Sequence, residues 1–340
     1  MAGNTLIARL KGKLIAGIAI GGLVYVLVVV YSGWRDLETA LRDFPWLLFP
    51  LLLLLAFANY LLRFLKWHFY LGQLKIPLAR GDSLVIFLAG LIMTISPGKI
   101  GELLKSVLLK QRNGTPLTVS APIIVAERIT DFISLVLISV AGLLVFTVSD
   151  SSLTILGVVA AILAAFVLVM SNRRLCLGVI ALLERWKPLA RIGGKMHNLY
   201  ESINRLVRLL PLTVATFLSL CAWLCECLGF WIAIRAFTPD PSLLAACFIY
   251  ALGTIIGVAS PGGLGLTEGS MLTMLQTAAL MGPAVLTKAP AAAATLIIRL
   301  ATLWFAVFVG AVVLLRFQKR FGDAASELET ELARKHEPRP

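Results

Sequence analysis

The chain alternates long apolar runs with short polar connections. The longest runs, residues 14–31, 46–65, 153–170, 212–234 and 289–315, approach or exceed the roughly 20 residues a helix needs to cross a bilayer. Residues 118–147 form another run, interrupted by Glu127, Arg128 and Asp131. Two further stretches behave differently. The thirteen residues 83–95 reach only ~20 Å as a helix, less than the ~30 Å hydrocarbon core, and the seventeen residues 243–259 are of intermediate length. Both end at the same tripeptide, Ser96-Pro97-Gly98 and Ser260-Pro261-Gly262. The first continues as SPGKIGELLKSVLLK and the second as SPGGLGLTEGSMLTM, and a helical pattern is expected to restart within a residue or two of each.

An interrupted backbone leaves polar groups that lipid cannot satisfy, so breaks of this kind are tolerated where they line a cavity. In transporters such broken helices form the binding site. Basic residues beside the runs set the orientation. Arg9, Lys11 and Lys13 place the N-terminus in the cytoplasm, and Arg316, Lys319 and Arg320 place the C-terminus there. Residues 32–45, with Arg35, Asp36, Glu38, Arg42 and Asp43, read as an external loop. Arg63, Lys66, Lys75 and Arg80 precede the first short stretch, and Lys99, Lys105, Lys110 and Arg112 follow it, which suits a hairpin that enters and leaves on the cytoplasmic side.

The expected architecture is an all-α polytopic membrane protein of about six full spans and two re-entrant helical hairpins. Residues 1–45 hold the first helix and an outer loop. Residues 46–147 form a unit of helix, hairpin and helix, and residues 148–211 a helix followed by a basic amphipathic stretch on the cytoplasmic leaflet. Residues 212–315 repeat the unit, and residues 316–340 are a charged cytoplasmic tail. The first unit begins outside and the second inside, so the two are related by inversion. A bundle of eight full spans is the alternative.

Composition fits this picture. Hydrophobic residues make up 59% of the 340 and charged residues 14%, and mean hydropathy is +0.90. The formal charge of +13 is spread beside the apolar runs rather than along a groove, which argues against nucleic acid. The five cysteines form no C-x-x-C pair, and the three histidines lie far from them, so neither a metal nor another cofactor is expected.

Candidate chemistry gathers at the breaks and at buried charge. Ser is a good N-cap and Pro suits the first helical position, so each break reads as a helix N-terminus offering N–H groups to an anion. Ser96, Gly98, Lys99, Gly101, Ser260, Gly262, Gly263 and Gly265 are the candidate binding residues there. The alternative is a Pro-Gly turn at the bilayer surface. Arg128 and Arg299 each lie ~15 Å deep and need a partner, either a phosphate or a nearby carboxylate. Pairs of Arg299 with Glu268 and of Arg128 with Asp131 are the structural alternative. Glu102, Glu127, Asp131, Glu226 and Glu268 are candidates for gating or proton coupling, since carboxylates at such depth are rarely idle. Arg63 and Lys66 read as snorkelling to the interface.

The segments LLRFLKW, SPGKIGELLKSVLL, AERITDFISL, SPGGLGLTEGSM and IIRLATLW together resemble the transmembrane region of the lysylphosphatidylglycerol synthase family, a flippase-like family of inner-membrane proteins. The resemblance runs from roughly residue 10 to residue 315. It implies that Gly98, Gly101, Glu102, Glu127, Arg128, Asp131, Gly262, Gly265, Glu268 and Arg299 occupy the family's polar positions. In the bifunctional members a separate soluble domain attaches the amino acid. Only a short charged tail is expected beyond residue 316, so synthase activity is not carried over. Two functions follow as expectations. One is an inner-membrane transporter of an anionic or phosphate-bearing lipid, such as a phospholipid or a polyprenyl-phosphate-linked or hopanoid-related lipid. The other is a membrane partner of a lipid-modifying glycosyl or aminoacyl transferase.

Overall fold

The computed structural model describes residues 3–95, 103–143 and 203–317, besides the single position 157. The first Ser-Pro-Gly break, the run at 153–170, the basic stretch up to residue 202 and the tail from 318 lie outside the described residues. Everything described is helix, turn or connection. In chain order the helices are α1 (Gly3–Ser32), α2 (Trp34–Asp43), α3 (Phe49–Gln73), α4 (Arg80–Gly90), α5 (Leu103–Asn113) and α6 (Leu117–Leu143). They continue as α7 (Leu209–Arg235), α8 (Leu243–Gly257), α9 (Leu266–Leu275), α10 (Lys288–Arg299) and α11 (Phe305–Phe317). Residues Leu300–Trp304, between α10 and α11, wind as a π-helix.

Among the described residues, four segments are long and apolar enough to cross a membrane: Ile15–Ser32, Trp46–Gln73, Leu209–Arg235 and Lys288–Phe317. The 27-residue α6 is as long as α7 but carries three charges near its middle. By contrast α4 and α5 have 11 residues each, α8 has 15 and α9 has 10. At 1.5 Å per residue the longest of these reaches about 22 Å, so none of these four described helices spans ~30 Å alone.

Local chemistry sets the boundaries. Gly33, at φ 82°, separates α1 from α2, and Ser242 caps α8 by accepting the Ala245 N–H. α3 ends in a left-handed Lys75 (φ 55°), with the Ile76 N–H bonded to the Leu71 carbonyl and Lys75 N–H to Gly72. Two boundaries correct the sequence reading. Residues 34–43, expected as an external loop, form an amphipathic helix whose Leu37 and Ala40 are buried. The second span runs on to Gln73 rather than ending at 65, because Trp67, Tyr70 and Leu71 still have a core to bury into.

Packing relates the two units by a pseudo-twofold. α3 lies along α7, while α6 lies along α8 and α11 along α4. An operation exchanging α3 with α7, the α4–α5 hairpin with α8–α9, and α6 with α10–α11 maps this pattern onto itself. The direction of the operation is also visible. The Asn59 side chain donates to the Ala222 carbonyl at 2.8 Å, and the Lys66 ammonium to Ser219, while Leu52 and Leu55 flank Gly229. Rising numbers in α3 thus meet falling numbers in α7. Equivalent helices that run antiparallel need an axis in the membrane plane, as in an inverted repeat.

Two apolar cores follow the same division. One surrounds the α8–α9 hairpin with Phe230, Phe248, Leu272 and Ala291–Ala294; the other surrounds α4–α5 with Trp67, Tyr70, Phe87 and Leu108. Small residues allow close crossings. A Cβ at Gly310 would overlap the Ile92 backbone nitrogen, and one at Gly142 would meet the Phe248 Cβ at 2.6 Å.

Candidate functional site

The second break is not a simple helix start. Ser260 hydrogen-bonds back to the Gly257 carbonyl, and Pro261–Gly263 form a short 3-10 turn. Gly262, Gly263 and Gly265 all take left-handed φ, at 62°, 78° and 85°, so α-helix resumes only at Leu266. This corrects the expectation that Ser-Pro caps a helix directly. Three left-handed residues cannot lie in a right-handed helix, and only glycine adopts them without steric cost. The consequence is chemical. The Gly265 N–H, expected to be open to an anion, instead donates to Glu268 Oε2 at 2.6 Å.

The other Glu268 oxygen accepts from Arg299 Nε at 2.6 Å, and Arg299 Nη2 donates to the Gly262 carbonyl at 2.7 Å. Glu268 is fully buried. One arginine thereby ties α10 to both sides of the break, and the Arg299–Glu268 alternative read from sequence is the one present. The chain entering the first break meets this second one. A methyl group at Gly262 would come within 3.1 Å of the Cα of Ile95, the residue before Ser96. Ser96, Gly98, Lys99, Gly101 and Glu102 themselves lie outside the described residues.

Among its described residues the first unit holds two buried lysine–carboxylate pairs. Lys105 of α5 donates to Glu127 of α6 at 2.5 Å, with its ammonium over the Trp67 and Phe87 rings at 4.7 and 5.3 Å. Lys66 of α3 donates to Asp131 at 2.6 Å and to Ser219 of α7 at 2.5 Å, while Ser219 donates to the same carboxylate oxygen at 3.0 Å. Arg63 and Arg128 approach the other Asp131 oxygen at 3.3 and 3.8 Å. Lys66 is 1% exposed. This overturns its reading as a snorkelling residue: α3 continues two turns past it and Asp131 neutralises it inside the bundle.

These groups surround a central cavity of about 120 Å³, room for several waters. Each of the helices α3 to α11 contributes to its wall. Among the described residues, four basic side chains line it, Arg63, Lys105, Arg128 and Arg299, against a single carboxylate, Glu226. Tyr60, Tyr250, Thr94, Thr254, Thr267 and Thr302 add hydroxyls, and Gly262 and Gly263 bring bare backbone to the edge. Tyr250 donates to Glu226 Oε2 at 2.6 Å, and Tyr60 donates to the Thr302 carbonyl in the π segment at 2.6 Å.

Of the residues singled out from sequence, Arg128, Glu226, Gly262, Gly263 and Arg299 line the cavity. Glu127, Asp131, Gly265 and Glu268 stand behind it, each bonded to a group that lines it or to its neighbours. Ser260 closes its own turn. Sequence reasoning missed Arg63, Lys66, Lys105 and the two tyrosines as parts of this site. A signal existed for Lys66: aromatic and apolar residues continue beyond it to Leu71, which places the charge inside a helix rather than at its end.

The family described as the lysylphosphatidylglycerol synthase TM region matches residues 14–310. Among curated relatives are UPF0104 membrane proteins of Methanothermobacter thermautotrophicus. One is 25% identical over 275 residues, covering 74% of this chain and 80% of the relative. A second is 23% identical over 343 residues, covering 93% and 97% respectively. A third is 24% identical over 326 residues, covering 88% and 91%. The matched region contains both breaks and, among the described residues, all of the buried ion pairs and the cavity wall, and the chain belongs to the lysylphosphatidylglycerol synthase transmembrane-region family.

Proposed function

We propose that this multi-pass membrane protein is a lipid transporter of the bacterial inner membrane, with both termini in the cytoplasm. It moves an anionic or phosphate-bearing lipid between leaflets. The observation that carries this reading is the cavity itself: four basic side chains, drawn from both inverted units, face one polar space where the two units meet. Guanidinium and ammonium groups held there suit a phosphate, which accepts several charge-assisted hydrogen bonds at once. Deep cationic groups in a membrane protein face such pathways by default. The crossed packing of α6 on α8 and of α11 on α4 supports access that alternates as one unit rocks against the other.

The test is reconstitution of the full chain into vesicles with fluorescent phosphatidylglycerol, a fluorescent polyprenyl phosphate and a fluorescent lipid with an uncharged headgroup. Transfer between leaflets is read by quenching from outside. Faster transfer of the phosphate-bearing probes than in protein-free vesicles is expected. Equal rates with and without protein would remove transport of those classes.

A further inference from the structure

Four carboxylates are buried around the cavity among the described residues, and three of them share one solution. Glu127 has Lys105 at 2.5 Å, Asp131 has Lys66 at 2.6 Å, and Glu268 has Arg299 at 2.6 Å. Glu226 does not. It is 7% exposed, lines the cavity, and among the described residues has no basic side chain within 4 Å; its close partner is the Tyr250 hydroxyl at 2.6 Å. An ionised carboxylate in such a place is expensive unless a cation or water balances it.

We propose that Glu226 is the proton-binding site of the transport cycle, an assignment that rests on the transport reading given above. In one access state its carboxylate takes a proton from hydronium in the cavity water, forming one O–H bond as one hydronium O–H bond breaks and water is left. In the other state that bond breaks and the proton returns to water on the opposite side. Glu127, Asp131 and Glu268 are excluded from this role by their ion pairs, since protonating any of them strands a buried cation.

The electrostatics give the proton a use. Among the described residues, Glu226 is the carboxylate on a wall that also presents Arg63, Lys105, Arg128 and Arg299. Neutralising it makes the cavity more attractive to an anion. By reciprocity a bound anion makes it more attractive to a proton. Proton and headgroup therefore load together. The groups that act on Glu226 come from every neighbouring element: Tyr60 and Arg63 on α3, Asp131 on α6, Tyr250 on α8, Arg299 on α10, and Cys225 and Cys227 on its own helix. Of these, Arg63 and Arg299 line the cavity, and Asp131 is held by Lys66.

Two measurements on the full chain in vesicles test this. The first imposes a one-unit pH gradient, with voltage clamped to zero, on vesicles carrying fluorescent phosphatidylglycerol. One-proton coupling drives up to about tenfold probe asymmetry between leaflets. The asymmetry of Glu226→Gln, taken relative to that variant's own zero-gradient distribution, falls to one. An active wild type that ignores the gradient, or a Glu226→Gln variant that follows it as wild type does, overturns the proposal. The second measurement needs no transport. Infrared difference spectra over a pH titration are expected to contain a protonated-carboxyl carbonyl band that Glu226→Gln lacks and Tyr250→Phe displaces. A band unchanged in Glu226→Gln overturns the assignment even if no lipid moves, whereas absence of transport with the band present overturns only the coupling.

Discussion

Glu268 spends one oxygen on the backbone and the other on an arginine: Oε2 takes the Gly265 N–H and Oε1 takes Arg299 Nε, both at 2.6 Å. A carboxylate used this way fixes the second break to α10 through a single side chain. Removing either partner leaves the other buried and uncompensated. Glu268→Gln or Arg299→Met alone is expected to cost about 3–5 kcal/mol, and the double variant less than the sum. Unfolding by graded denaturing detergent in mixed micelles measures it; additive losses would contradict the pairing.

The Lys66–Asp131 pair bridges α3 and α6 and includes Ser219 of α7. A double-mutant cycle of Lys66→Met and Asp131→Asn is expected to return a coupling of about 0.5–3 kcal/mol. A coupling near zero would mean that Arg63 and Arg128 satisfy Asp131 without the lysine.

Gly310 and Gly269 make opposite predictions for the same kind of change. A side chain at Gly310 overlaps the Ile92 backbone, which cannot rotate away, so Gly310→Val is expected to destabilise by about 1–3 kcal/mol or more. Gly269 lies within α9 with nothing within 4 Å of its missing Cβ. Gly269→Ala is expected to be neutral or to stabilise by up to about 1 kcal/mol. Thermal unfolding of the two variants side by side is the check.

Gly262 combines a left-handed φ of 62° with a carbonyl that Arg299 uses. Gly262→Ala is expected to cost about 1–2 kcal/mol from the backbone alone, with further crowding against Ile95. Vesicle transport slowed beyond the loss of folded protein would tie this turn to the cavity rather than to stability.

Loss of one cavity base should weaken an anionic headgroup more than an uncharged one. Lys105→Met and Arg128→Gln are each expected to reduce capture of a phosphate-bearing probe about tenfold or more, the size of a lost hydrogen bond to a charged group. Transfer of a probe with an uncharged headgroup serves as the internal comparison. Equal losses for both probes would show that these residues hold the fold and not the ligand.

Much of this was legible along the chain. Apolar run lengths gave the long helices, and the second Ser-Pro-Gly located the break between α8 and α9, because period and length depend on local sequence alone. The detail of the second break was not legible. Ser260 and Pro261 satisfy every local rule for starting a helix, yet Gly262, Gly263 and Gly265 turn the backbone left-handed so that Glu268 and Arg299 can reach it. Partner choice was also hidden. Arg128 and Asp131, three apart on one helix, suggested a local pair, but Lys66, sixty-five residues away, lies nearest to Asp131. Such pairings depend on which helices the bilayer and the twofold packing bring together.

The π-wound stretch that follows Arg299 has a geometric consequence. A π turn is equivalent to one residue inserted into an otherwise regular helix. Were that surplus to migrate a turn toward the N-terminus, Arg299 would swing by about 100° around the rod while the ends stayed where they are. Where the extra residue resides therefore selects which side of the bundle the guanidinium can address.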